Sequence, residues 1–275
     1  MRRGFDFSGL PVVLEGASAH EEIEGISRDW AAFSASPSGT PFLSLGVEEG
    51  RQPEDDARAA PKGMRLALDG TAAVYRTRLG SCRVERDGRA VVALAPGDSG
   101  ARRLALENFV RAAIAFLLPS RGGGAIHAAG VVLDGRAFVL PGASGAGKST
   151  AASLAASQGA IIVSDDLVLV DGASGRPELV GAPFRSTHAT ESPRGRWPLA
   201  AIVFPEKGPE ARLDAVPRLF AAARLLSNLT FVADLVGEDP RVGAVVERLV
   251  DRVPCAMLTF ALDPSFVDLL RRFGS

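Results

Sequence analysis

Residues 125–166 read AIHAAGVVLDGRAFVLPGASGAGKSTAASLAASQGAIIVSDD. Two apolar runs flank Asp134-Gly135, and an Asp-Gly pair between apolar runs is a strong short-range signal for a β-hairpin. The second run leads into a glycine-rich segment, an alanine-rich stretch that predicts a helix, and an apolar strand that ends at Asp165-Asp166. The pattern therefore predicts strand, turn, strand, glycine loop, helix and strand, in that order.

The glycine-rich segment matches the phosphate-binding pattern G-x-x-x-x-G-K-[ST] from Gly142 to Ser149. Glycines allow positive φ and a close approach of the backbone to a phosphate, so that successive N–H groups form an anion cradle at a helix N-terminus. Lys148 would bring a positive charge to the β- and γ-phosphates, and Ser149 a hydroxyl to Mg²⁺. The alternative is a glycine-rich turn that only caps a helix. We predict a site for ATP and Mg²⁺ formed by Gly142, Ala143, Ser144, Gly145, Ala146, Gly147, Lys148, Ser149 and Thr150.

Two adjacent carboxylates, Asp165 and Asp166, follow the strand that comes after the loop helix. Open α/β sheets bind ligands at the carboxyl ends of their strands. One acid would bind magnesium, and the other would accept a proton from an attacking hydroxyl. The alternative is a solvated strand end or a helix cap. Because the acids follow the loop so closely, the spacing favours a kinase over motor-type and transporter-type ATPases.

Further candidates are a histidine and a group of arginines. His127 lies in the first strand of the predicted hairpin, whose second strand leads into the loop, so its imidazole would lie near the transferring phosphate. The alternative for His127 is a hydrogen-bonded histidine of the core. The arginines could clamp phosphate oxygens or lie in a solvated loop. They are Arg185, Arg194 and Arg196.

These motifs resemble those of the HPr kinase/phosphorylase family, whose P-loop domain is similar to that of phosphoenolpyruvate carboxykinase. The resemblance rests on His127-Ala128, the Gly142–Ser149 loop and the Val163–Asp166 segment, and it covers roughly residues 125–170. It implies an α/β fold with a mixed sheet of the phosphoenolpyruvate carboxykinase/HPr kinase type. It also implies a Mg²⁺-dependent ATP kinase that phosphorylates a Ser/Thr-type hydroxyl of a protein or peptide.

The resemblance also implies a role for each site residue. Lys148 is implied to be catalytic, His127 to be an active-site group, and Asp166, the second acid, to accept the proton. Glu191 lies about where the family has its second magnesium carboxylate. The predicted magnesium ligands are Ser149, Asp165 and Glu191.

The sequence departs from the family pattern in two places. Thr150 stands where HPr kinases usually have glutamate. The proline- and glycine-containing loop that carries the family's further arginine is not found near the C-terminus, so the sequence predicts neither phosphorylase activity nor HPr itself as the acceptor. A small-molecule kinase and a nucleotide-sensing module without transfer remain as alternatives.

Composition limits the partners and the compartment. The 275 residues are 47% hydrophobic with a net charge of -1, which supplies a core but no field that would attract nucleic acid or an anionic membrane. Cys82 and Cys255 lack C-x-x-C spacing, which argues against a disulfide scaffold. The segment 109–118 is apolar but about half the ~20 residues that a spanning helix needs. We expect a cytoplasmic protein with no nucleic-acid or membrane partner, and homo-oligomers remain open.

The chain divides by pattern near residue 120. Residues 1–120 predict a smaller α+β region of unknown role, with a helix from about His20 to Phe33, a meander of short strands, and a helix that begins at Asp98 or Ser99. Residues 121–275 predict the P-loop domain.

Overall fold

The computed structural model describes residues 1–36, 39–51, 63–184 and 192–273. The chain forms two compact units, Met1–Leu117 and Leu118–Ser275, and each contains a mixed β-sheet and helices. This is an α/β arrangement, as the sequence predicts. None of the helices within these ranges is both long and apolar enough to cross a bilayer.

The first unit is built on a seven-stranded sheet in the order β1-β2-β3-β7-β6-β5-β4. Its strands are β1 (Arg2–Asp6), β2 (Pro11–Glu15), β3 (Leu43–Glu49), β4 (Arg65–Asp69), β5 (Ala72–Thr77), β6 (Gly80–Val84) and β7 (Arg89–Leu94). Strand β3 pairs in parallel with β2 and β7, and the other neighbours pair antiparallel. The helices are α1 (His20–Asp29) and α2 (Ser99–Leu117), with a 3₁₀ turn at Ala31–Phe33. Both predicted helices are present, but the first ends at Asp29 and only a 3₁₀ turn continues it to Phe33.

The second unit contains an eight-stranded sheet that runs β10-β8-β11-β12-β13-β15-β14, with β9 between β8 and β13. Its strands are β8 (Gly124–Leu133), β9 (Arg136–Pro141), β10 (Ile161–Ser164), β11 (Leu167–Asp171), β12 (Glu178–Val180), β13 (Arg196–Lys207), β14 (Arg212–Ala215) and β15 (Cys255–Phe260). Its helices are α3 (Lys148–Ala156), α4 (Arg218–Leu226), α5 (Pro240–Arg252) and α6 (Phe266–Arg272), with 3₁₀ turns at Leu118–Arg121 and Ala233–Leu235.

The predicted hairpin is present as β8 and β9. Asp134 and Gly135 have φ of 50° and 78°, the two positive values that a tight type I′ turn requires. Strand β9 pairs antiparallel with β8 and in parallel with β13. The carboxyl ends of β9 and β13 therefore lie at one edge of the sheet, together with the amino-terminal half of β8.

Helix α3 packs on this sheet through small side chains. Ala151, Ala152 and Ala155 belong to one buried cluster with residues of β8, β9, β13, β15 and α6. Alanines allow a helix to lie close to the strands, and they favour the helical state intrinsically. The alanine-rich sequence after the loop thus forms the helix and also packs it against the strands.

Candidate functional site

The glycine loop connects the end of β9 to the start of α3, as the pattern predicts. Gly145 and Gly147 have φ of 82° and 96°, and Gly147 is the N-cap residue of α3. A Cβ atom on Gly142 would lie 2.9 Å from the Ala146 Cβ, and one on Gly147 would lie 3.0 Å from the Phe260 Cζ. The loop needs glycine at 142 for space, at 145 for its backbone conformation and at 147 for both reasons.

Lys148 is held by the loop that precedes it. Its Nζ donates hydrogen bonds to the carbonyl oxygens of Gly142, at 2.6 Å, and of Ala143, at 3.0 Å. Lys148 is only 6% exposed. Burial lowers the pKa of Lys148, and the negative charges of Asp166 and Asp165 oppose that shift. The ammonium group is thus placed beside the loop backbone, within the electrostatic range of both acids.

Asp165 and Asp166 follow β10 but lie in different surroundings. Asp165 is 5% exposed, whereas the side chain of Asp166 is 55% exposed. Ser164 Oγ accepts hydrogen bonds from the backbone N–H groups of Asp166 and Leu167, both at 3.3 Å, and so fixes the turn into β11. One carboxylate is therefore enclosed by protein, and its neighbour remains open to an incoming molecule.

His127 contacts Asp166 twice. Its Nδ1 lies 3.0 Å from the Asp166 carbonyl oxygen and 3.2 Å from the Asp166 Oδ1. Because a carbonyl oxygen can only accept, a hydrogen bond in this contact requires the proton on Nδ1. The His127 side chain is 39% exposed, so it is not the buried core histidine that was the alternative.

The backbone of His127 is fixed from both sides of β8. His127 pairs with Leu167 of β11, and its N–H donates to the Asn228 carbonyl oxygen at 2.7 Å. Asn228 follows α4 and is itself fixed, since its Nδ2 donates to the Arg224 carbonyl oxygen at 2.7 Å. Sequence reasoning missed Asn228, and no motif in the sequence marks it.

These groups line one pocket of about 320 Å³ in the second unit. Its lining residues are His127, Ser144, Gly145, Gly147, Lys148, Ser149, Thr150, Asp165, Asp166 and Lys207. The predicted loop residues Gly142, Ala143 and Ala146 lie in the same loop without lining the pocket. Glu191 and Arg185 lie outside the described residues. The structure thus brings both acids and the histidine to the glycine loop.

The structure places two basic residues where the sequence did not predict them. Lys207, at the end of β13, lines the pocket although no motif predicted it. Arg196, at the start of β13, binds carboxylates of its own unit: its Nη2 lies 2.8 Å from Asp171 Oδ2 and 2.8 Å from Glu178 Oε2. Arg196 is therefore part of an ion-pair network and belongs neither to a solvated loop nor to a phosphate clamp.

No protein-family model and no curated protein matches the chain.

Within the described ranges, no group of three or more His, Cys, Asp or Glu side chains is arranged as a metal cage. In phosphate sites Mg²⁺ usually has one or two protein ligands beside phosphate and water oxygens. The chemistry of the pocket must therefore be inferred from its own residues.

Proposed function

We propose that the chain is a Mg²⁺-dependent ATP kinase that transfers the γ-phosphoryl group to a Ser/Thr-type hydroxyl of a protein or peptide. One observation carries this proposal: Lys148 and Ser149 of the glycine loop share a pocket with Asp165, Asp166 and His127. A nucleotide-binding turn alone would not need an exposed carboxylate with a histidine in contact. The combination supplies phosphate binding and a proton acceptor in one place.

The loop residues suit a nucleotide polyphosphate. Gly145 and Gly147 line the pocket with positive φ, the backbone conformation in which successive N–H groups can face one anion. The N-terminus of α3, which follows them, carries the positive end of the helix dipole. The Ser149 hydroxyl and the Asp165 carboxylate are the hard oxygen donors that Mg²⁺ prefers. When bound, Mg²⁺ neutralises phosphate charge. Ser149 and Asp165 would hold it, and Glu191 stays a predicted third ligand.

Asp166 is the proposed proton acceptor. The acceptor hydroxyl gives its proton to the Asp166 carboxylate while the new O–P bond to the γ-phosphorus forms and the bond from that phosphorus to the bridging oxygen of ADP breaks. Asp166 suits this role because more than half of its side chain is exposed, so that a hydroxyl carried on a polypeptide can reach it. Lys148 stabilises the negative charge on the phosphate oxygens.

His127 is the proposed positioning residue for Asp166. Its Nδ1–H contacts the carbonyl oxygen and the carboxylate of Asp166 at 3.0 Å and 3.2 Å, so that it restrains that side chain. A fold of the phosphoenolpyruvate carboxykinase/HPr kinase type for this unit is supported by the order of elements along the chain. That order is the hairpin, the glycine loop, α3, β10 and the acid pair.

The test compares labelling by Asp166→Asn and wild-type protein, with γ-labelled ATP and an extract of the source cell as the supply of acceptors. We expect Asp166→Asn to retain MgATP binding and to lose transfer by at least about a hundredfold, because the proton acceptor is gone. Asp134→Asn, the same substitution in the hairpin turn outside the pocket, is the matched control and should label at the wild-type rate.

Each outcome separates the candidate functions. Label in a polypeptide supports the proposal, and label in a metabolite shows the small-molecule kinase instead. Tight MgATP binding with no labelled acceptor shows the sensing module. Wild-type turnover by Asp166→Asn would refute the role of Asp166.

A further inference from the structure

Lys207 reaches the pocket through the pairing of two strands that are distant in the chain. It is the last residue of β13, which runs parallel to β9, and β9 leads into the glycine loop. A Cβ atom on Gly147 would lie 3.8 Å from the Lys207 Cγ. The aliphatic part of Lys207 therefore passes beside the start of α3, next to the backbone of the glycine loop.

The ammonium group of Lys207 is not paired with any residue in the part of the chain that the structure describes. Its side chain is exposed, and it makes no ion pair or hydrogen bond with the described residues. Lys148, by contrast, already donates to two carbonyl oxygens. Lys207 can therefore bind an anion without first giving up a partner among the described residues.

The lining of the pocket needs this charge if the ligand is a nucleotide. Without Lys207, the two carboxylates Asp165 and Asp166 would face one ammonium group, that of Lys148, and the lining would be net negative. MgATP and MgADP are anions, and like charges at close range repel one another. Lys207 restores the balance among the described residues of the lining.

The sheet order decides which phosphates Lys207 faces. Strand β9 lies between β8, which carries His127, and β13, which carries Lys207. The strand before Asp165 and Asp166, β10, pairs with β8 on the side away from β13. The proton acceptor and Lys207 therefore lie on opposite sides of the strand that leads into the loop.

We propose that Lys207 binds the non-transferred phosphates of the nucleotide and sets affinity for both MgATP and MgADP. This inference rests on the proposed function, since it takes the His127 and Asp166 side as the side of the transferred phosphate. Lys207 then acts on nucleotide binding and has little part in the transfer step itself.

The experiment measures MgATP and MgADP binding by calorimetry for wild type, Lys207→Met, Lys207→Arg and Glu206→Gln. Loss of one charged contact should raise the Kd of Lys207→Met about tenfold for both nucleotides. Lys207→Arg should recover most of the affinity. Glu206→Gln, the exposed neighbour that does not line the pocket, should bind as wild type. In the labelling assay with varied MgATP, Lys207→Met should raise the KM for MgATP about tenfold, with a much smaller change in kcat.

Three results would overturn the assignment. Unchanged Kd values in Lys207→Met would show that the ammonium group contacts no phosphate. Weaker MgATP binding with unchanged MgADP binding would place Lys207 at the transferred phosphate instead. If wild-type protein binds neither nucleotide, the proposed function fails and this inference fails with it, whereas the first two results leave the kinase proposal intact.

Discussion

At the residue scale, Gly147 carries two constraints at once. Its φ of 96° disfavours any side chain, and a Cβ atom would lie 3.0 Å from the ring of Phe260. Gly147→Ala should therefore lower the free energy of unfolding by about 2 kcal/mol and should also abolish MgADP binding, because the N-cap of α3 must shift. Urea unfolding and calorimetry measure the two effects.

Gly159→Ala is the matched control for this substitution. Gly159 has a similar φ of 82°, but nothing lies within 4 Å of the position that its Cβ would occupy. Only backbone strain should then lower stability, by about 1 kcal/mol, and nucleotide binding should stay as in wild type. Equal loss of stability in the two variants would show that the Phe260 contact has no energetic role.

The residues of the pocket differ in how well sequence predicts them. Lys148 and Ser149 stand at a fixed spacing that phosphate chemistry requires, so the pattern finds them directly. Lys207 reaches the pocket because β13 pairs with β9, and pairing between distant segments leaves no local pattern. The signal available was its rarity, because Lys207 is one of three lysines in the chain.

At the element scale, Asp171 connects the end of β11 to two neighbouring elements. It is fully buried, and it accepts hydrogen bonds from Arg121 Nε at 2.9 Å and from Arg196 Nη2 at 2.8 Å. Asp171→Asn removes the buried carboxylate that both guanidinium groups share, and it should lower the free energy of unfolding by about 3 kcal/mol. Urea unfolding at neutral pH measures this loss.

The same site predicts a pH dependence. Burial opposes ionisation of Asp171, but hydrogen bonds from Arg121 and Arg196 outweigh it and hold the pKa of Asp171 below its usual value. This contribution to stability is therefore present above the unfolded pKa near 4 and disappears as the pH falls through the lowered pKa. Asp171→Asn should lack this acid-dependent loss. Asp251→Asn, in an exposed pair with Arg218, should unfold as wild type at each pH.

Elements with strong local sequence signals were predicted and are present in the structure. Strands that depend on partners distant in the chain were not predicted. The Asp134-Gly135 hairpin, α3 and β10 follow from turn chemistry and periodicity. Strand β3 was not predicted, although Leu43, Leu45 and Val47 alternate along it; it is held by parallel neighbours on both sides, β2 and β7. Strand β13 is extended at both ends by pairing with β12 and β15, and no local pattern indicates that pairing.

At the scale of the whole molecule, the two compact units can respond differently to a nucleotide. Binding to the folded state alone raises its stability, by about 2.7 kcal/mol at a ligand concentration of a hundred times Kd. We therefore expect MgADP to slow amide hydrogen exchange most in the peptides that span residues 142–171. Lys148→Ala should show no such slowing at the same MgADP concentration, and equal protection in this variant would contradict a site at the glycine loop.

The contact of Lys148 with the Gly142 and Ala143 carbonyl oxygens has a consequence for selectivity. An anion that binds the Lys148 ammonium group must compete with these two carbonyl oxygens. Chloride or acetate, with a single negative charge, gains little by that exchange. A polyphosphate can replace both carbonyl oxygens and also accept from the surrounding amides, so the loop should discriminate against the small anions that are abundant in any cell or buffer.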